Sequence, residues 1–152
     1  MLGKTSLSAT RALMLLAQQD PGACWSPRRI AEALGESPTY MAKVTRHLVR
    51  SGILEAEKGV KGGVRFLLQP EQITLLAVVE ACQGTIVGDY CKSSVPRSAV
   101  CSFHRAAQEL HDSITSVLAR WTLADLLAKP YAARSNIVGA CLMACVKEGT
   151  VS

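Results

Sequence analysis

Two serine–proline pairs, each followed at a short interval by a glycine, constrain this chain more than any other feature. Ser26-Pro27 opens a segment that Gly35 closes, and Ser37-Pro38 opens a second that Gly52 closes. A serine hydroxyl caps the free backbone N–H groups at a helix start. Proline at the next position loses nothing, because its missing N–H has no partner there, and glycine takes the left-handed turn that ends a helix. The pairs therefore predict a short helix over 28–34 and a longer one reaching residue 51. Two helices joined by a tight glycine-containing turn form a helix-turn-helix.

The flanks extend this unit. A first helix is expected over 6–19, with Leu13, Leu16 and Ala17 on one face and Asp20-Pro21-Gly22 ending it. After Gly52 come ILEAE and VRFLL, two strand-like runs separated by a glycine- and lysine-rich stretch, with Pro70 stopping the second. They read as a β-hairpin whose glycines supply positive φ and let the ribbon lie close to another backbone. Helix, helix, helix, hairpin is the order of a winged helix-turn-helix. The glycine stretch is not a nucleotide cradle: its Lys61 precedes Gly62-Gly63, and it runs into a strand rather than a helix.

Beyond the hairpin, Thr74 caps a helix carrying Leu75, Val78, Val79 and Cys82 on one face, ended by Gly84. A polar loop, 85–100, leads to a helix over 102–120. Phe103, Ala107, Leu110, Ile114, Val117 and Trp121 alternate there at spacings of four and three, a heptad seam suited to pairing with a second copy or to packing back on its own domain. Thr122 and Asp125 form a capping box with Asp in place of Glu, and open a short helix ended by Lys129-Pro130. Aromatic residues are only 5% of the chain, so the core is aliphatic, which favours helices. The expected fold is mainly α with a small β-hairpin wing. A DNA-binding domain over 1–83 is followed by a sensor loop over 84–101. A dimerisation helix and a short following helix occupy 102–130, and 131–152 form an Ala- and Ser-rich tail expected to be partly disordered.

Charge says what the first domain meets. Residues 1–70 hold ten Lys and Arg against five Asp and Glu, a net +5, whereas 71–152 hold seven of each. The whole excess lies in the helix-turn-helix half, which points to a polyanionic partner. On a helical wheel Met41, Val44 and Leu48 fall within an arc of about 60°, and Thr39, Lys43, Arg46 and Arg50 fall within another on the far side. Tyr40 and His47 flank the polar arc, and Ser37 caps the helix. Lys43 and Arg46 suit guanine edges and Thr39 a thymine methyl. Lys58, Lys61 and Arg65 on the wing, with the amides of Gly62 and Gly63, suit phosphates or the minor groove. The partner expected is double-stranded DNA.

These residues also carry a family resemblance. IAEALGESPTYMAKVTRHLVRSGILEAEKGVKGGVRFLL, TIVGDYCKSSVPRSAVCSFH and WTLADLL together resemble the bacterial Rrf-type regulators. That group includes the iron–sulfur-assembly repressor and the nitric-oxide-sensing repressor. The resemblance runs to about Pro130 and is most specific at the glycine wing, the Cys-x-x-His of Cys101 and His104, and TLADL. It implies a homodimeric repressor reading a near-palindromic operator, with the long helix crossing its partner's. It also implies an iron–sulfur cluster as candidate cofactor, with Cys91, Cys101 and His104 as candidate ligands. The departures are two. Cluster-bearing members usually place three cysteines in the sensor loop, where this chain has Cys91 and Cys101. The stretch KTSLSATR lacks the acid that completes the site in some relatives. A cluster takes four ligands, and this chain offers three candidates.

Other readings of the cysteines stay open: two solvent-facing thiols, or a reversible Cys91–Cys101 disulfide. Cys82 and Cys24 are expected to pack, as are Cys141 and Cys145, four apart with no His or acid nearby. The longest apolar stretch, 137–146, is far short of a membrane span, and no targeting segment is evident, so a cytoplasmic protein is expected. An enzyme is not expected. Two rival classes remain: a winged-helix module that binds protein rather than DNA, and a thiol or metal enzyme centred on Cys101 and His104.

Overall fold

In the computed structural model the described residues are 2–60, 62–86 and 100–128. Lys61, Cys91 with most of the expected sensor loop, and the expected tail with Cys141 and Cys145 lie outside them.

Three helices open the chain: α1 (Lys4–Ala17), α2 (Pro27–Leu34) and α3 (Pro38–Arg50). The first begins and ends two residues earlier than expected, with Gln18 as its C-cap. The local signals place the other two. Ser26 Oγ accepts from the Arg29 N–H and Ser37 Oγ from the Tyr40 N–H, at 3.2 and 3.1 Å. Gly35 and Gly52 adopt φ of 69° and 74° in the turns that follow.

A two-stranded antiparallel hairpin comes next, β1 (Leu54–Glu57) and β2 (Gly63–Phe66), in the register Leu54↔Phe66 to Glu57↔Gly63. Trp25, just before α2, pairs with Val64 on the other edge of β2. Its N–H donates to Val64 O at 3.0 Å, and the Val64 N–H donates back at 2.9 Å. The wing is thereby sewn to the helix-turn-helix rather than hanging from α3 alone. A 3-10 turn, Pro70–Gln72, leads to α4 (Leu75–Gln83), capped by Thr74.

The core is aliphatic and lies where the three helices and the wing meet. Ala9, Ala12 and Leu13 of α1 join Ile30 and Ala31 of α2 and Met41, Val44 and Leu48 of α3, all fully buried, with Ile53, Leu54, Val64 and Ile73. Burying an aliphatic side chain contributes about 1.5–3 kcal/mol and a helix cap about 1. Three buried residues on α3 therefore outweigh its cap in deciding which face turns inward.

The long helix α5 (Ser102–Arg120) has no buried residue, and the short α6 (Leu123–Ala128) follows it. The Leu75 N–H donates to Trp121 O at 2.9 Å, and the Leu123 N–H donates to Ile73 O at 2.8 Å. This clasp brings the end of α5 back to the start of α4, and Leu123 joins the common core. The expected capping box forms: Thr122 N–H and Oγ1 reach Asp125 Oδ2 at 2.8 and 2.7 Å, and the Asp125 N–H reaches Thr122 Oγ1 at 3.2 Å.

Candidate nucleic-acid interface

The buried stripe of α3 dictates what its other side presents. With Met41, Val44 and Leu48 inside, Thr39, Lys43, Arg46 and Arg50 stand exposed together, and Tyr40 and His47 are half-buried at the margins. Among the described residues, no carboxylate forms an ion pair with Lys43, Arg46 or Arg50. Arg50 lies in the last turn, where the partial negative charge of the helix end favours a cation. Ser37 is present at the head of this face with its hydroxyl oxygen engaged in the cap. Thr45, which the wheel does not mark, is buried and donates its hydroxyl to Met41 O at 3.0 Å.

Contacts from α1 hold this helix in place. Arg11 lies 3.6 Å from Glu36 in the turn between α2 and α3, and Ser8 Oγ donates to the same carboxylate at 3.2 Å. The Lys4 ammonium sits 5.2 Å from the Tyr40 ring centroid. The turn that ends one helix and begins the next is thus tied to a third.

On the wing the glycines have a more local task than sequence suggests. Gly59 takes a positive φ of 117°, and the Gly62 N–H donates to Gly59 O at 2.9 Å, so that amide is already engaged. Gly63 needs no positive φ, but a Cβ there would overlap the carbonyl of Trp25 and stand 2.7 Å from Ser26 N. The close backbone approach is therefore to this chain's own strand. Arg65 is likewise occupied: its guanidinium contacts Glu55 at 2.7 Å and Glu57 at 2.9 Å across the hairpin. The hydrogen bond to Glu55, then the charges of Glu55 and Glu57, raise its pKa above the ordinary arginine value. Lys58 is exposed at the hairpin tip.

One cation escaped sequence reasoning. Arg29 lies over the Trp25 indole, its guanidinium carbon 3.7 Å from the ring centroid. The four-residue spacing across a helix start was the available signal, but only the observed backbone shows that the ring faces it.

At the head of α5, Cys101 is the N-cap and its Sγ accepts from the His104 N–H at 3.4 Å, with the thiol exposed. No group of three or more His, Cys, Asp or Glu placed to hold a metal occurs among the described residues. Of the candidate ligands only Cys101 and His104 are among the described residues, fewer than the four donors a cluster takes, so the described residues do not by themselves form a cluster site. The first turn of α1 contains no acid. Cys82 is half-buried, its Sγ 3.9 Å from Thr5 O, and burial raises its thiol pKa. Cys24 is raised by burial first and then by the charge of Glu57.

Comparison with known proteins agrees with this architecture. The Rrf2 family model, described as an iron-dependent transcriptional regulator, matches residues 2–129. The HTH-type transcriptional regulator NsrR of Halalkalibacterium halodurans is 31% identical over 121 residues, 77% of this chain and 83% of that protein. Its namesake in Bacillus subtilis is 30% identical over the same shares. In fold, the chain is similar to CymR, the global cysteine regulator of B. subtilis, with a TM-score of 0.67 and 20% identity over 84% of this chain and 96% of that one. These relatives are regulators, and the enzyme reading is set aside. The helices, the paired wing and the exposed basic face are those of a DNA-binding regulator, and the chain belongs to the Rrf2 family of transcriptional regulators.

Proposed function

We propose that the protein is a cytoplasmic, homodimeric repressor that reads a near-palindromic site in duplex DNA. Residues 1–83 bind the DNA, 84–101 receive a signal, and 102–130 pair the two copies. The observation that carries this reading is the outward face of α3, where Thr39, Lys43, Arg46 and Arg50 stand exposed and unpaired by acids among the described residues. A helix of 13 residues is about 20 Å long, and the major groove admits it side-on. Arg46 and Lys43 donate to guanine edges, Thr39 meets a thymine methyl, and Arg50 and Lys58 take phosphates. Arg65, held by Glu55 and Glu57, stiffens the wing.

Dimerisation is supported by what α5 leaves uncovered. Phe103, Leu110, Val117 and Trp121 are each 44% exposed or more, along one heptad seam. Beside the seam lies a groove of about 820 Å³ lined by Leu2, Ile86, Leu110, Ile114, Val117 and Leu118. The same seam on a second copy matches it in apolar chemistry, and twofold pairing presents two recognition helices to two half-sites.

The signal is assigned to Cys91, Cys101 and His104. A cluster, when bound, supplies a redox-sensitive centre, and thiol chemistry at Cys101 supplies one without it. Movement at this end of α5 reaches the DNA-binding core through the other end, where Trp121 and Leu123 clasp Leu75 and Ile73. Visible absorption of protein purified without oxygen, with iron and sulfide analysis, separates the two: a brown protein assigns a cluster, a colourless one leaves the thiols.

The DNA reading is tested by anisotropy on labelled duplexes across a salt series. Wild-type affinity should fall steeply with salt, and Arg46→Ala should lose about 1–3 kcal/mol of discrimination between operator and scrambled duplex. Unchanged affinity and selectivity would favour a winged helix that binds protein.

A further inference from the structure

The arginines of the DNA-binding half divide into two sets. Arg11 is paired with Glu36, Arg28 with Glu32, and Arg65 with Glu55 and Glu57. Arg46 and Arg50 on α3, and Arg29 on α2, have no ion-pair partner among the described residues. Two of these three are accounted for by the recognition helix. Arg29 is not, and it is the one whose orientation the structure fixes.

Its position rests on three observations. The guanidinium lies against the Trp25 ring, 3.7 Å from the centroid, so one face is covered by indole and its N–H donors point outward in the guanidinium plane. The platform does not move freely: Trp25 is only 8% exposed, and its backbone exchanges both hydrogen bonds with Val64 of the wing. The side chain of Arg29 is nevertheless exposed, so the donors reach solvent. The helix end itself contributes little here, since the Arg29 N–H is taken by Ser26 Oγ.

We propose that Arg29, stacked on Trp25, is a phosphate clamp that grips the DNA backbone where α2 meets the wing. This deepens the reading of the chain as a DNA-binding protein and rests on it. A planar guanidinium presents two parallel N–H groups to a phosphate, and stacking removes much of the rotational freedom that an exposed arginine loses on binding. Because a phosphate carries no sequence information, the clamp adds affinity and register but no base preference. The two backbone hydrogen bonds between Trp25 and Val64 tie the clamp's platform to the wing.

The test compares wild type with Arg29→Ala, Arg29→Lys and Arg28→Ala on operator and scrambled duplexes from about 50 to about 300 mM salt, a range over which phosphate contacts dominate. Arg29→Ala should weaken both duplexes alike and reduce the slope of log affinity against log salt by about 1 per protomer. Arg29→Lys, which keeps the charge but not the planar fork, should retain the slope and lose part of the affinity. Arg28→Ala, whose guanidinium is held by Glu32, should leave the slope unchanged. Equal slopes for wild type and Arg29→Ala, or an equal drop in Arg28→Ala, would overturn the clamp. If Arg46→Ala still loses discrimination in that case, the DNA reading stands without it. Wild type that binds neither duplex overturns both. Circular dichroism melts confirm that each variant is folded.

Discussion

Gly63 lies so close to Trp25 that a single methyl group on its α-carbon would overlap the Trp25 carbonyl, with Ser26 N only 2.7 Å away. The neighbouring Val64 uses that proximity to exchange two backbone hydrogen bonds with Trp25. One glycine therefore decides whether the wing is a free hairpin or part of the helix-turn-helix. Gly63→Ala forces the strands apart, and overpacking of this kind costs about 1–3 kcal/mol. Urea denaturation should show that loss, and amide exchange should show faster exchange at Trp25 and Val64. Wild-type stability and protection would mean that the strand edge adjusts without penalty.

The seam on α5 makes a separate prediction. Leu110 and Val117 are 59% and 47% exposed, so replacing them with aspartate disturbs no core packing within the chain. Light scattering behind size exclusion should find wild type dimeric and Leu110→Asp/Val117→Asp monomeric, with unchanged far-ultraviolet circular dichroism. Affinity for a two-half-site duplex should drop as well, because linking two modest sites raises avidity by about 10²–10⁴-fold. A variant that remained dimeric would place the interface elsewhere.

The capping box at the start of α6 should weaken in acid. Asp125 accepts from the Thr122 N–H and hydroxyl, and these bonds hold its carboxyl below the usual carboxylate range. A depressed folded pKa means that the contribution is complete above the unfolded value, near about pH 4, and fades as pH falls through the folded value. Asp125→Asn should therefore be less stable than wild type at neutral pH, with the gap closing below about pH 4. Melting temperatures across an acid-to-neutral pH series check this; a constant gap would contradict it.

The thiols should differ in reactivity. Burial raises the Cys82 pKa and leaves less thiolate at a given pH, whereas Cys101 is exposed at the head of α5. Peptide mapping after brief alkylation near neutral pH should find Cys101 modified well before Cys82, with the gap narrowing as pH rises. Simultaneous labelling would show that the α1–α4 contact opens readily.

Several elements are legible in the order of residues. The Ser26 and Ser37 caps, the glycine stops and the Thr122–Asp125 box involve groups within four residues, so their spacing in the chain is nearly their spacing in space. The two faces of α3 are legible for the same reason, since 3.6 residues per turn separates Met41, Val44 and Leu48 from Lys43, Arg46 and Arg50. The wing charges are not. Arg65 reads as a free cation because nothing in a linear chain specifies that Leu54 pairs with Phe66, the register that brings Glu55 and Glu57 to its guanidinium. The clasp that returns α6 to the core joins Thr74 to Thr122, far apart in the chain, and leaves no mark in local pattern either.

By itself, then, the chain's order of residues determined which segments are helical, which face of each turns inward, and which cations share a helix. Hydrogen bonds and side-chain periodicity acting over a single turn are enough for that. Tertiary structure alone decided which arginines are neutralised, that Gly63 serves Trp25, and that Arg29 has an indole to lie on. Each of those depends on distances between strands and helices set by the collapse of the common core, and no local interaction encodes them.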